Sequence, residues 1–408
     1  MRLGRWTAVV VAILIVAGTS GSTLAAGLFY AMLVPLLAAL YVARRPPRLI
    51  SALRSVSAGQ VEAGESVSVV VEVLWERAFG PAWVMVSDVL PQGLEAGQPV
   101  GRLFVGPTTR RVRIPYSVVA RRRGYYPIGP ISVSCGDLFG IADTDADLAD
   151  RDFLTVYPKI VALPEIVVPS NRPIGSAKSA QTLFEDSTRS VGIRDYRPGD
   201  PLSRIHWKAT AKTGAMQSRV YEPSSSIEVD LLLNLFREDY PGGEAEVELA
   251  CTAAASLAAH LSRNRRRVGI MSNGLDAARR YGQGSAHAGE AVWLDVAGMQ
   301  ADLPSVLSAI ARLETTDATS LPDYLAAVQP RLRWRATLLF ITHRLDDWSA
   351  QALERLKRAG FALAGVIVGD GDVAEHSLGI ATAIGVPTSW ARTEQELEVL
   401  KFWRPSMR

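Results

Sequence analysis

The chain has little cysteine, little histidine and no surplus of one charge. Two cysteines, Cys135 and Cys251, exclude a disulfide scaffold and a Cys-rich zinc site. The five histidines, His206, His260, His287, His343 and His376, show no metal-ligand spacing. Lys and Arg total 44 against 41 Asp and Glu, a net charge of +3. That near balance argues against a dedicated nucleic-acid binder, whose footprint is strongly basic. No Gly-x-Ser-x-Gly elbow is present. Gly282-x-Gly284 lies in a polar stretch without the strand-turn-helix context of a phosphate loop. Asp370-Gly371-Asp372 follows a predicted strand but reads as a simple turn. With 408 residues, 48% hydrophobic and 21% charged, there is room for two or three domains.

The N-terminus lacks charge from Trp6 through Ala43, a run of 38 residues. A bilayer span needs about 20 apolar residues. The break at Gly18-Thr19-Ser20-Gly21-Ser22-Thr23 divides the run into Trp6 to Gly18 and Leu24 to Val42. Arg2 and Arg5 precede it and Arg44-Arg45-Pro46-Pro47-Arg48 follows it. A secretory signal would fit the basic start, but the apolar run resumes at once after the break. The expectation is a transmembrane hairpin over 1–48. Basic flanks then place both ends, and everything after residue 48, in the cytoplasm of a two-pass cell-membrane protein.

From Ser51 to about Pro164 the period becomes two. Val67 to Val73, Trp83 to Val89, Arg111 to Val119 and Ile131 to Ser134 alternate as strands do, between Gly and Pro turn signals. This predicts a β-sandwich over 49–165, immunoglobulin-like in class. Arg121-Arg122-Arg123-Gly124-Tyr125-Tyr126 has two readings, an anionic-surface contact or a hairpin end whose tyrosines pack on the sandwich; the second is preferred. After a linker over 166–226, strands and helices alternate through 227–408. Strands are expected at Ile227 to Leu235, Val268 to Ser272, Ala336 to Thr342 and Phe361 to Val368. Such alternation implies a mostly parallel sheet.

The linker carries the most unusual stretch, Val191 to Lys212. It reads Gly192-x-Arg194-x-Tyr196-x-x-Gly199-Asp200, then Arg204-Ile205-His206-Trp207-Lys208, then a small-residue run with a basic position. Together with Arg123-Gly124-Tyr125 and Asp137-Leu138-Phe139-Gly140, it resembles the signature of the bacterial domain-of-unknown-function family 58. That resemblance implies two N-terminal spans, a β-rich segment and a von Willebrand factor A-like α/β domain. It also implies a MoxR-type AAA+ ATPase as partner, in envelope-related assembly or stress response.

Read from the residues, Pro198-Gly199-Asp200 is a turn, and Asp200 would cap a short helix from Pro201 to Lys208. Arg204 and Lys208 would then share a helix face. One reading makes Arg194, Tyr196, Gly199, Asp200, Arg204, His206, Trp207 and Lys208 a partner or anion site. The other makes them a clasp, with Arg194 or Arg204 on Asp200 and with Ile205 and Trp207 plugged into the sheet domain. His206 lacks a nucleophile or carboxylate partner for catalysis. In the von Willebrand-like half, the expected metal-ligand positions carry Asn234, Phe236, Glu238 and Thr342, so no metal or other cofactor is expected. The function expected is a non-enzymatic interaction protein at the cytoplasmic membrane face, with no nucleic acid or small-molecule substrate. Two alternatives stand beside it, a metal-dependent adhesion-type module and an enzyme acting on an anionic substrate through the signature.

Overall fold

The computed structural model describes residues 9, 11–15, 23–44, 49–75, 82–96, 100–105, 111–137, 143–148, 151–166, 169, 185–197, 200, 202–223, 228–264, 266–282, 302–332 and 337–400. The chain falls into two compact units. One comprises Met1–Lys159 with Ala277–Gly284 and Ile310–Leu313; the other comprises Ile160–Asp276 with Ser285–Ala309 and Glu314–Arg408.

The membrane expectation is corrected. Among the described residues no helix is long and apolar enough to cross a membrane. The two-pass topology, the membrane localisation and the membrane-anchored fold class therefore fall, and the chain is described as α+β with several sheets. The sequence reading equated absence of charge with a continuous apolar helix. In the first stretch the described residues are 9 and 11–15, and they are helical. The second stretch forms the helix Thr23–Arg44, which contains Ala, Gly, Thr and Pro among its larger apolar residues. Residues 16–22 and 45–48, which carried the break and the basic stop, lie outside the described residues.

In the first unit, β1 (Leu49–Val56), β3 (Ser66–Trp75), β7 (Arg111–Ala120) and β5 (Leu94–Ala96) form one sheet in the order β1-β3-β7-β5. A second sheet has the order β10-β9-β4-β6, from β4 (Ala82–Asp88), β6 (Val100–Val105), β9 (Ile131–Asp137) and β10 (Asp143–Leu148). Both are antiparallel throughout. Alternation along β3 and β7 sends Val71, Val73, Val112 and Ile114 inward, where they meet Val84, Val86, Ile131 and Val133 of the second sheet. A third sheet joins β2 (Gln60–Glu62), β11 (Asp152–Tyr157) and β8 (Gly124–Ile128).

A buried charge cluster ties β1, β4, β7 and β11 together. Arg54 binds Asp88 through two hydrogen bonds of 2.8 and 2.7 Å and reaches Asp152 at 3.0 Å. The Tyr116 hydroxyl donates to Asp88 at 2.6 Å, and burial, with that hydrogen bond, pushes the phenol well above its usual range. The bidentate geometry is what makes a buried carboxylate tolerable here.

The basic-aromatic cluster is a packed hairpin end. Arg121 pairs with Glu95, and Tyr125 stacks on Phe153 at 4.9 Å between ring centroids. Arg123 is buried and donates to the carbonyls of Ile310 and Leu313 at 3.0 and 2.8 Å. Leu138-Phe139-Gly140 lie outside the described residues.

In the second unit, β12 (Glu185–Asp195) and β13 (Gln217–Pro223) form an antiparallel pair. Five strands then form a sheet: β14 (Glu228–Leu233), β15 (Arg267–Ser272), β16 (Thr337–Thr342), β17 (Ala362–Val368) and β18 (Thr388–Ala391). Their order is β15-β14-β16-β17-β18, and every pairing is parallel. All seven residues of β17 and all six of β16 are buried, as continuous apolar runs in a covered parallel sheet should be. The helix Glu244–Arg263 follows β14 and buries a nearly unbroken series of small residues, Ala250 to Ala259. In this order the chain leaves β14 first to one side and later to the other, so the gap between the carboxyl ends of β14 and β16 is the topological switch point.

Candidate functional site

The sequence singled out two places, the switch point and the signature, and the structure makes them opposites.

At the switch point, Asn234 follows β14 and Thr342 ends β16. Asn234 is buried and every polar atom of its side chain is used. Its amide nitrogen donates to Asp239 at 2.7 Å and to the Thr342 hydroxyl at 2.9 Å. Its amide oxygen accepts from the Phe236 backbone N–H at 3.2 Å and from Asn273 Nδ2 at 2.8 Å. Asn273, at the end of β15, also accepts from Leu235 N at 2.7 Å and donates to the Thr319 carbonyl at 2.9 Å. Thr342 passes its own proton to the Arg344 carbonyl at 2.8 Å. Tyr240 OH donates to the Asn234 carbonyl at 2.5 Å. Half-buried Asp239 has its carboxyl pushed above the usual range, chiefly by burial and against the pull of its Asn234 hydrogen bond.

A divalent cation requires converging oxygens. Here the group set between the Asp239 and Thr342 oxygens is an amide nitrogen carrying protons. The residues present do not fit a metal, and among the described residues no group of three or more His, Cys, Asp or Glu is placed to hold one. Phe236 contributes its backbone N–H and bridges to Thr316, while Glu238 is exposed on the short turn Arg237–Asp239. Spacing had pointed to Glu238, but the turn brings in its neighbour Asp239. Sequence reasoning also missed Asn273 and His343. The latter is fully buried, with Nδ1–H donating to the Val368 carbonyl at 2.7 Å and Glu246 3.6 Å away.

The signature is built differently. Asp200 accepts from Arg194 at 2.7 Å and from the Arg197 backbone N–H at 3.0 Å. These bonds, the Arg194 one first, hold its carboxyl below the usual range. Asp200 is thus bound to Arg194 and does not cap a helix. The helix runs Trp207–Thr213, and its cap is His206, whose Nδ1 accepts from Ala209 N at 3.0 Å. That nitrogen is an acceptor in a structural bond, which removes it from any role as proton donor. Gly214 closes the helix at φ +72°.

Arg204 ends a separate turn, Leu202–Arg204, so it shares no helix with Lys208. Tyr196 N donates to the Met216 carbonyl, His206 N to the Gln217 carbonyl, and Gln217 N to the Thr210 hydroxyl. These bonds fasten turn, helix and β13 into one module. Ile205 is 4% exposed and anchors it, whereas Trp207 is 68% exposed. Ile205 bridges to Ser218 of β13, and Trp207 does not make the plug expected of it. Gly199 lies outside the described residues.

The module begins where a family match begins. Residues 192–378 match the model of the family described as "Protein of unknown function DUF58". The chain is also similar to the uncharacterized protein YeaD of Bacillus subtilis (strain 168), 28% identical over 216 residues, 52% of this chain and 54% of that protein. It thus spans about half the length of the curated relative it matches. Among solved structures, proximal thread matrix protein 1 from the mussel byssus is similar at a TM-score of 0.29 and 10% identity, over 42% of each chain. A chain of the complex between zinc 2-glycoprotein and prolactin inducible protein from human seminal plasma gives 0.20 at 12% identity, over 28% of this chain and 98% of that one. At such TM-scores the likeness carries no argument. The matched names supply neither the von Willebrand factor A likeness nor the MoxR partner that the sequence resemblance implies.

Proposed function

We propose that this chain is a non-enzymatic interaction protein whose module over 192–219 engages a partner protein. The partner proposed is a MoxR-type AAA+ ATPase, on the sequence resemblance alone. The observation that supports the module as the contact is Trp207, exposed beside a residue that anchors the module. A large aromatic side chain in water forgoes the burial that stabilises folded chains, and such residues are concentrated in interfaces. The closed amide network at the switch point speaks against a metal-dependent module.

The test is a pull-down of the full chain from its native host, with Trp207→Ala and the Arg204→Ala, Lys208→Ala double variant alongside. Capture of an AAA+ ATPase by the wild type, lost in both variants at unchanged melting temperature, supports the proposal. Identical partners for all three proteins would reject the module as the contact.

A further inference from the structure

The module concentrates charge as well as apolar surface. Between Gly192 and Arg219 there are six Lys and Arg (Arg194, Arg197, Arg204, Lys208, Lys212 and Arg219) and two Asp (Asp195 and Asp200). This surplus of four positive charges exceeds the +3 of the entire chain. The one ion pair described within the module is Arg194 with Asp200. Asp195 accepts from the neutral Gln217 amide. Lys208 and Lys212 lie four residues apart on the helix Trp207–Thr213, so they stand on one side of it, about 6 Å apart at the backbone. Both are exposed, and among the described residues neither has an ion-pair partner; the same holds for the Arg197 and Arg219 side chains.

Large apolar side chains are exposed among these cations. Leu202 and Trp207 are each 68% exposed, and Ile193 and Met216 are also exposed. Met216 immediately precedes Gln217, which is bonded to both His206 and Thr210, so it lies against the helix that carries Trp207, Lys208 and Lys212. A partner that matched only the charge would leave four apolar side chains in water. One that matched only the apolar surface would bury unpaired cations, which is costly.

We infer that the module binds an acidic peptide segment of its partner, one carrying aliphatic side chains between its carboxylates. Trp207 and Leu202 contact the aliphatic groups, while Lys208 and Lys212 meet carboxylates. Successive same-side residues of a strand or a helix are spaced at about 6–7 Å, which matches the lysine pair. A nucleic acid satisfies the cations through phosphate but has no use for Leu202, Ile193 and Met216. This inference rests on the proposed role of the module and adds the chemistry of what it recognises.

The experiment uses the full chain and a fluorescein-labelled synthetic peptide of repeated Glu-Glu-Leu, followed by fluorescence anisotropy at two salt concentrations. Saturable binding is expected, weaker at higher salt. Replacing Leu by Ser in the peptide, or Trp207→Ala in the protein, should each weaken it by about tenfold. The Lys208→Glu, Lys212→Glu variant should lose it. Oligo-dT binding as tightly as the Leu peptide would overturn the inference, as would an unchanged affinity in Trp207→Ala or for the Ser peptide. If no peptide binds while host-partner capture still depends on Trp207, the acidic chemistry is wrong and the interaction role stands. If capture is also indifferent to Trp207, both fall.

Discussion

The switch point and the signature are both polar places in the second unit, and they handle their polar groups in opposite ways. At the switch point Asn234, Asn273 and Thr342 are buried, and their side chains are hydrogen-bonded to one another and to neighbouring backbone. In the signature, Arg197, Lys208 and Lys212 face water, and so does Trp207. The architecture would put a ligand at the first place, whereas exposed cations and apolar side chains stand together at the second.

The contrast predicts that substitutions at the switch point cost more stability than those in the signature. The largest effect belongs to Asn273→Ala. It strands the Leu235 N–H, takes the Asn273 donor from the Thr319 carbonyl and leaves the Asn234 oxygen with only its Phe236 bond, and one buried orphan costs about 1–3 kcal/mol. A loss of about 3 kcal/mol in urea unfolding is expected. A loss below about 1 kcal/mol would mean that water replaces the amide and the network is open.

Asn234→Asp sharpens the point by exchanging the donor for a second carboxylate beside Asp239. The lost bonds to Asp239 and Thr342 and the new like-charge contact should cost about 2 kcal/mol. Millimolar Mg²⁺ should then raise the melting temperature of the variant but leave the wild type unchanged. Equal stabilisation of both proteins would show that the amide does not close the position.

How much of this was legible beforehand depends on the kind of signal. Strand segments were legible because periodicity is local: the alternation from Val67 to Val73 lies within β3, and the apolar run from Ala336 to Thr342 covers β16. The last strand, Thr388–Ala391, escaped notice because four residues give too short a run. Asn234 and Thr342 were singled out as altered metal-ligand positions, and the structure joins them by a hydrogen bond. Asp239 and Asn273 were not, because one depends on a turn and the other on a strand 39 residues away. In the signature an arginine on Asp200 was legible as opposite charges close in sequence, but whether Arg194 or Arg204 was left open, and the structure pairs Arg194. Helix start and exposure were not legible. His206 rather than Asp200 caps the helix, and that single shift turns Trp207 outward. The membrane reading is overturned because, among the described residues, no helix is long and apolar enough to cross a membrane.

The two aspartates extend the contrast to pH. Asp239 has a raised carboxyl, so the folded chain holds its proton more tightly than the unfolded chain. Its contribution is fully present in acid and falls as pH rises from the ordinary carboxylate range through the raised value. Asp200, with a lowered carboxyl, contributes above the ordinary range and loses that contribution as pH falls through its lowered value. Asp239→Asn should therefore flatten the decline in stability just above the normal carboxylate range, measured by denaturant unfolding at a series of pH values. A decline that persists unchanged would assign it to another group.

The smallest effect is expected at Asp200 itself. Arg194 is 41% exposed at the side chain, so solvent screens the pair, and exposed ion pairs contribute about 0.2–1 kcal/mol. Asp200→Asn should lower stability by about 0.5 kcal/mol, close to the limit of a careful denaturation experiment. Its consequence for binding should be larger, because it removes the internal counter-charge that holds Arg194 and raises the positive surplus of the module from four to five. Affinity for the Glu-Glu-Leu peptide should therefore rise, with a steeper dependence on salt. If affinity falls instead, the Arg194–Asp200 clasp shapes the binding surface rather than merely neutralising part of it, and the switch point and signature would differ less than their exposure suggests.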